Sequence, residues 1–96
     1  MNVEWSDLAI SDFEQNIEFL YQNWTEQVVY DFIFETERVI ELISVSPTVF
    51  RKNTMANVHL VTITKQITLI YQVEKNSIQL LRFWNNFKDP TQIVLK

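Results

Sequence analysis

Apolar residues along this chain follow two different periods, and the change of period divides it in half. Residues 2–5 alternate, Val3 and Trp5 against Asn2 and Glu4, which predicts a short strand. Further on, Leu8, Ala9, Phe13, Ile17, Leu20, Tyr21 and Trp24 recur at three- and four-residue steps, while Asp7, Asp12, Glu14, Gln15 and Glu18 take the other side. Side chains so spaced share one helix face, so this predicts an amphipathic helix with Ser6 as its N-cap, its early acids complementing the positive end of the dipole. Thr25 can cap a second helix, in which Val28, Val29, Phe32, Ile33, Val39, Ile40 and Ile43 repeat the same steps. Pro47 ends it, and Ser46, just before the proline, is pushed toward extended backbone. With only residues 23–25 between them, the helices are expected to lie back to back as a hairpin.

After a polar stretch at 51–57 the period falls to two. Val58, Leu60 and Thr62 alternate with His59, Val61 and Ile63; Ile67, Leu69, Tyr71 and Val73 with Thr68, Ile70 and Gln72; Ile78, Leu80, Arg82 and Trp84 with Gln79, Leu81 and Phe83. These predict three strands joined at 64–66 and 74–77, links of hairpin length that make this part of the sheet antiparallel. Neither link holds a glycine, so Asn76 is expected to supply a positive φ in the second. Pro90 is expected to close the last strand region, leaving 91–96 as a tail in which Ile93 and Leu95 alternate. The order βααβββ predicts an α+β fold: an antiparallel β-sheet with an N-terminal strand and a helical hairpin packed on one face. With no internal repeat or linker, residues 1–96 are expected to form a single domain.

Composition narrows the chemistry. At 47% hydrophobic and 14% aromatic, the chain can bury enough apolar surface to fold without staples. It has no cysteine and one histidine, His59, which removes disulfides, thiolate metal sites and any zinc constellation. It also has no glycine, and phosphate-cradling loops need glycine for close backbone approach, so the nucleotide-binding fingerprints are excluded. No cofactor or metal is expected. Acidic residues interrupt the first twenty positions and no run of about 18 apolar residues occurs, so the expectation is a cytoplasmic chain without a secretory or membrane segment. Charge is divided by position: residues 1–48 carry ten acids against Arg38 alone, a net −9, and residues 49–96 carry seven bases against Glu74 and Asp89, a net +5. An overall charge of −4 hides this asymmetry, which points to an interaction face.

Several segments, in order, resemble the RelE/ParE superfamily of bacterial type II toxin–antitoxin toxins. Trp5-Ser6 with Ala9 and Phe13 is similar to that family's opening strand and helix start. Trp24, Phe32 and the 42–47 run resemble its second helix and the proline after it, with Arg51 where the family usually has an arginine. Residues 61–73, V-T-I-T-K-Q-I-T-L-I-Y-Q-V, look like its central strand pair, and residues 78–90, ending F-W-N-N-F-K-D-P, like its last strand and the Asp-Pro that follows. The resemblance implies the toxin of a type II toxin–antitoxin (plasmid stabilisation) system, neutralised by a cognate antitoxin whose peptide wraps its surface. RelE-like members cleave messenger RNA on the ribosome with basic residues and a terminal Tyr or His; ParE-like members lack that set and act on DNA gyrase.

Residues decide between these classes. Cleavage needs a base for a 2′-hydroxyl and fixed cations for the developing phosphate charge. Arg51, Lys52, Lys65 and Arg82 could be the cations, but Phe83, Trp84, Asn85, Asn86 and Phe87 stand where the family has its proton-transfer group. None of these titrates near neutral pH, so no catalytic residue is assigned. His59 is expected to be structural, and Tyr71 could help only if it faced the basic surface. A sequence pI near 4.8 also argues against a ribosome-seeking protein. The expected function is therefore ParE-like, binding a protein target such as DNA gyrase, with Arg51, Lys52, Lys65, Arg82, Trp84, Phe87 and Lys88 as target contacts and the helix pair with the final strand holding the antitoxin. A RelE-like ribosome-dependent mRNA endoribonuclease and a non-toxic fold relative acting as a binding module are the alternatives. Arg82, inside a strand, needs a partner, either a salt bridge or the target. Phe13, Tyr21, Trp24 and Phe32 are expected in the core. Phe19 and Phe34 fall off the apolar stripes, where antitoxin packing or a homodimer could bury them.

Overall fold

The computed structural model describes residues 1–88, 91 and 93. The expected roles of Pro90 and Leu95, and the charges of Asp89 and Lys96, lie outside the described residues. The elements are β1 (Asn2–Trp5), α1 (Asp7–Asn23), α2 (Glu26–Val45), β2 (Lys52–Asn53), β3 (Val58–Thr64), β4 (Ile67–Val73) and β5 (Ser77–Asn85).

Both helices start at their expected caps. Ser6 is extended (φ −69°, ψ 161°) and its Oγ accepts a hydrogen bond from the Ala9 N–H at 3.0 Å. Thr25 is likewise extended, and its Oγ1 accepts from the Val28 N–H at 3.4 Å. Each cap satisfies one of the donors that a helix N-terminus leaves without an internal partner. At the other end of α2, Ser46 leaves helical geometry (φ −136°, ψ 71°) directly before Pro47.

The sheet order is β1-β5-β4-β3-β2, with β1 parallel to β5 and every other pair antiparallel. The helical hairpin is thus the crossover that carries the chain from one sheet edge to the far side, and β1 sits on the outer edge with Val3 opposite Ile78. One element was not legible: β2, two residues inside the polar stretch, pairs Lys52 with His59 and Asn53 with Val58. Its turn is made by side-chain chemistry, because Asn53 Oδ1 accepts from the Met55 and Ala56 N–H groups at 3.1 and 3.2 Å.

The left-handed residue also lies elsewhere than expected. Among the described residues the positive φ falls at Asn57 (55°), in the turn after β2, and Asn76 does not adopt one. The link after β4 instead closes through the Glu74 N–H to the Ser77 carbonyl at 2.8 Å. In the turn before β4, a register shift between Thr62 and Thr64 accommodates the strand twist without a left-handed residue.

The core lies between the helices and one sheet face. Ala9, Leu20, Phe32, Val39 and Ile43 meet Val61, Ile63, Ile67, Leu69, Tyr71, Ile78, Leu80 and Phe83. Within it the Phe13 ring lies 5.1 Å from Phe32 and 5.4 Å from Phe83, and the exposed Trp5 stacks on Phe83 at the margin, centroids 5.1 Å apart. On the opposite sheet face Val58, Ile70 and Trp84 form a second, smaller cluster, against which Leu60, Leu81 and Ile93 pack. Tyr21 corrects the expected core: it is exposed, because its neighbour Leu20 takes the inward position at that turn. Phe19 does pack, its ring 5.6 Å from Trp24, whereas Phe34 is 66% exposed.

Candidate functional site

Strand β5 carries two of the residues expected to act, Arg82 and Trp84, and α1 holds its free edge. Where β1 ends, the outer edge of β5 would present bare backbone groups, which cost free energy unless paired. Polar side chains at the start of α1 occupy them. The Ser6 N–H donates to the Leu80 carbonyl and its hydroxyl to the Leu81 carbonyl, each at 3.0 Å. The Phe83 N–H donates to Asp12 Oδ2 at 3.1 Å, and Asn16 Nδ2 donates to the Phe83 carbonyl at 2.8 Å.

Arg82 joins this edge. The pairing of β4 with β5 skips Leu81, passing from Ile70 opposite Arg82 to Tyr71 opposite Leu80. Arg82 meets Asp12 as a fork, Nε to Oδ2 at 2.6 Å and a terminal nitrogen to Oδ1 at 3.0 Å, and both side chains are largely buried. Its guanidinium also lies 5.6 Å from the centroid of the Trp84 ring. The hydrogen bond with Asp12 raises the Arg82 pKa above its ordinary value, with burial opposing it. Arg82 therefore holds β5 to α1, the salt-bridge outcome of the two expected for it.

The remaining cations lie at two ends of the basic half. Arg51 and Lys52 are exposed beside an open groove of about 330 Å³ lined by Phe50, Arg51, Leu60, Val61, Thr62 and Thr68. Lys65 is exposed in the turn before β4, and Asn86 ties that turn to the end of β5: its Nδ2 donates to the Lys65 carbonyl at 3.0 Å, and its Oδ1 accepts from the Thr68 hydroxyl at 2.8 Å. Phe87 and Lys88 follow directly, both exposed, with the Phe87 ring 5.4 Å from Trp24. Lys65, Phe87 and Lys88 are therefore together, Arg51 and Lys52 form a separate pair, and Trp84 is buried in the smaller cluster on the sheet face opposite the helices.

His59 and Tyr71 sit on the helix-covered face. The His59 ring stacks on Tyr71 with centroids 5.0 Å apart and 14° between planes, and Nδ1 donates to the Phe50 carbonyl at 3.0 Å. The Tyr71 hydroxyl donates to the Pro47 carbonyl at 2.8 Å. Burial pushes the Tyr71 pKa up to about 12, opposed in part by a backbone hydrogen bond at Phe50. Together the two rings fasten the segment between α2 and β2, and so set where Arg51 begins.

Asp12 and Asn16 were missed as a site. Asp12 reads as one of several acids on a solvated face, and nothing local distinguishes it. Asn16 did carry a signal, since it falls between Phe13, Ile17 and Leu20 on the apolar stripe, where a polar side chain must find a buried partner. Among the described residues no group of three or more His, Cys, Asp or Glu side chains could hold a metal ion. No described helix is long and apolar enough to cross a membrane.

No protein-family model and no curated protein gives a significant match to the chain. Solved structures do. The chain is similar to one from the chromosomal ParDE toxin–antitoxin system of P. aeruginosa (TM-score 0.72, 14% identity), with 88% of this chain and 95% of that one covered. It is similar to the YoeB/ParE toxin from Agrobacterium tumefaciens (TM-score 0.65, 15% identity, 91% and 100% covered). A heterotetrameric YoeB-YefM toxin–antitoxin complex from Staphylococcus aureus also matches (TM-score 0.61, 15% identity, 91% and 98% covered). At these identities the likeness speaks for architecture alone, and in architecture the chain shares the fold of these ParDE, YoeB/ParE and YoeB-YefM structures.

Proposed function

We propose that this chain is the toxin of a type II toxin–antitoxin pair, ParE-like in action: it works in the cytoplasm by binding a protein target such as DNA gyrase, and a cognate antitoxin neutralises it. The fold it shares with the ParDE and YoeB-YefM structures supports the toxin–antitoxin assignment. The observation that favours binding over RNA cleavage is the placement of His59 and Tyr71. These are the basic half's imidazole and phenol, yet they lie at 5% and 0% exposure, engaged with backbone carbonyls on the helix-covered face. Neither is offered to a phosphate held by Arg51, Lys52, Lys65 or Lys88, and a general base must come within hydrogen-bond reach of its proton.

Target contact falls to Arg51, Lys52, Lys65, Phe87 and Lys88, with Arg82 and Trp84 holding β5 in place beneath them. The antitoxin belongs on the helix pair and the final strand, where Tyr30 and Phe34, four residues apart on α2, are both more than half exposed. Induction of the chain alone tests this. DNA breaks and filamentation, with gyrase retained on the purified chain, are expected; translation arrest with transcripts cut at codons would replace it with the ribosome-dependent nuclease, and normal growth with a non-toxic binding module.

A further inference from the structure

Strand β3 is longer than the strand that covers it. β2 pairs only with Val58 and His59, and the Leu60 N–H then reaches back to the Arg51 carbonyl at 3.1 Å. Among the described residues no strand accompanies β3 on its outer side beyond that point, and β2 is the last strand of the sheet. Alternate residues of a strand direct their backbone groups to the same edge, so Thr62 presents its N–H and C=O on the side where Leu60 meets Arg51. Among the described residues neither group has a partner outside the ladder with β4. At the end of the same edge, Thr64 Oγ1 is buried without a hydrogen-bond partner among the described residues. Two adjoining depressions follow this edge, sharing Arg51 and Leu60 and running from Asn53 to Thr62.

We propose that the outer edge of β3, residues 60–64, is a docking site for an extended acidic segment of another protein chain, which adds to the sheet as a further strand. The free edge runs about 13 Å, the four strand steps between residues 60 and 64, enough for a short segment. Charge selects the occupant. Arg51 and Lys52 stand at one end of the edge and Lys65 directly past the other, all three exposed. A second copy of this chain is disfavoured for the same reason: antiparallel pairing of two β3 edges would set Arg51 and Lys52 against the copy's own Lys65. Flanking cations are a device by which sheet edges avoid their own kind, and an anionic strand escapes it.

The test needs neither toxicity nor a gyrase assay, so its failure leaves the proposed function standing and the reverse also holds. The isotopically labelled chain is titrated with a capped octapeptide alternating valine and glutamate, N-methylated along one edge to prevent self-stacking, and with its valine–lysine counterpart. The glutamate peptide is expected to shift the amide resonances of residues 60–64 saturably and to bind about tenfold or more tighter than the lysine peptide. Thr62→Pro, which removes an outward N–H at an edge where proline is tolerated, is expected to abolish the shifts. Should Thr62→Pro disturb the fold, Arg51→Glu with Lys65→Glu, both at exposed positions, is expected to reverse the preference between the peptides. Equal affinity for both peptides, shifts confined to other residues, binding that survives Thr62→Pro in a folded chain, or edge shifts that follow protein concentration alone would each overturn the proposal.

Discussion

Asp12→Ala is expected to be among the most damaging single changes outside the apolar core. The carboxylate takes two contacts from Arg82, at 2.6 and 3.0 Å, and one from the Phe83 N–H at 3.1 Å. Removing one partner of a buried pair costs about 3 to 5 kcal/mol, because the other charge is left uncompensated. Arg82 keeps 13% exposure and the Trp84 face, which lowers the figure, while the stranded Phe83 amide adds to it. A loss of about 2 to 4 kcal/mol is expected, a large share of the ~5 to 15 kcal/mol that holds a domain together. Urea unfolding followed by tryptophan fluorescence measures it, with a lower midpoint at unchanged slope. Asp12→Asn keeps an acceptor for Phe83 and is expected to cost less. The decisive comparison is the double variant Asp12→Ala/Arg82→Met, where the two effects should fall short of additive by about 1 to 3 kcal/mol. A single-variant loss below about 1 kcal/mol, or strict additivity, would refute the assignment of Arg82 to the fold's own salt bridge.

Tyr71 predicts an alkaline limb. Its folded pKa of about 12 lies above the ordinary 10, so the neutral phenol's contribution is complete below pH 10 and lost as pH rises through 12, roughly 2 to 3 kcal/mol in all. Tyr71→Phe should lower neutral-pH stability by about 1 kcal/mol, through the lost bond to Pro47, and flatten that limb in pH-dependent unfolding. Asn57→Ala should cost about 1 to 2 kcal/mol, because φ there is 55°, and Asn57→Gly should cost less; thermal unfolding separates the two. Arg51→Glu with Lys52→Glu should relieve growth inhibition by the induced chain while moving the melting temperature by no more than a few degrees, both side chains being exposed.

Much of the architecture was written in short-range pattern. The steps of three and four that ran through Phe13, Ile17 and Leu20, the hydroxyls of Ser6 and Thr25, and the alternation from Val58 onward each reflect contacts within a turn of helix or across one hairpin, so they survive in the sequence as local signals. The charge asymmetry was equally visible, since it needs only a count along the chain. Tertiary structure alone decided which long-range partners met. That β1 runs parallel beside β5, that Arg82 meets Asp12, and that Tyr71 reaches Pro47 depend on surfaces brought together from distant parts of the chain. Placement of β2 and of the left-handed Asn57 was hidden for another reason: a two-residue strand has no period to read, and an asparagine side chain can make a turn at many positions in a polar stretch. Periodicity records which face of an element is buried; only the assembled sheet determines which edge is left open and which charges stand beside it.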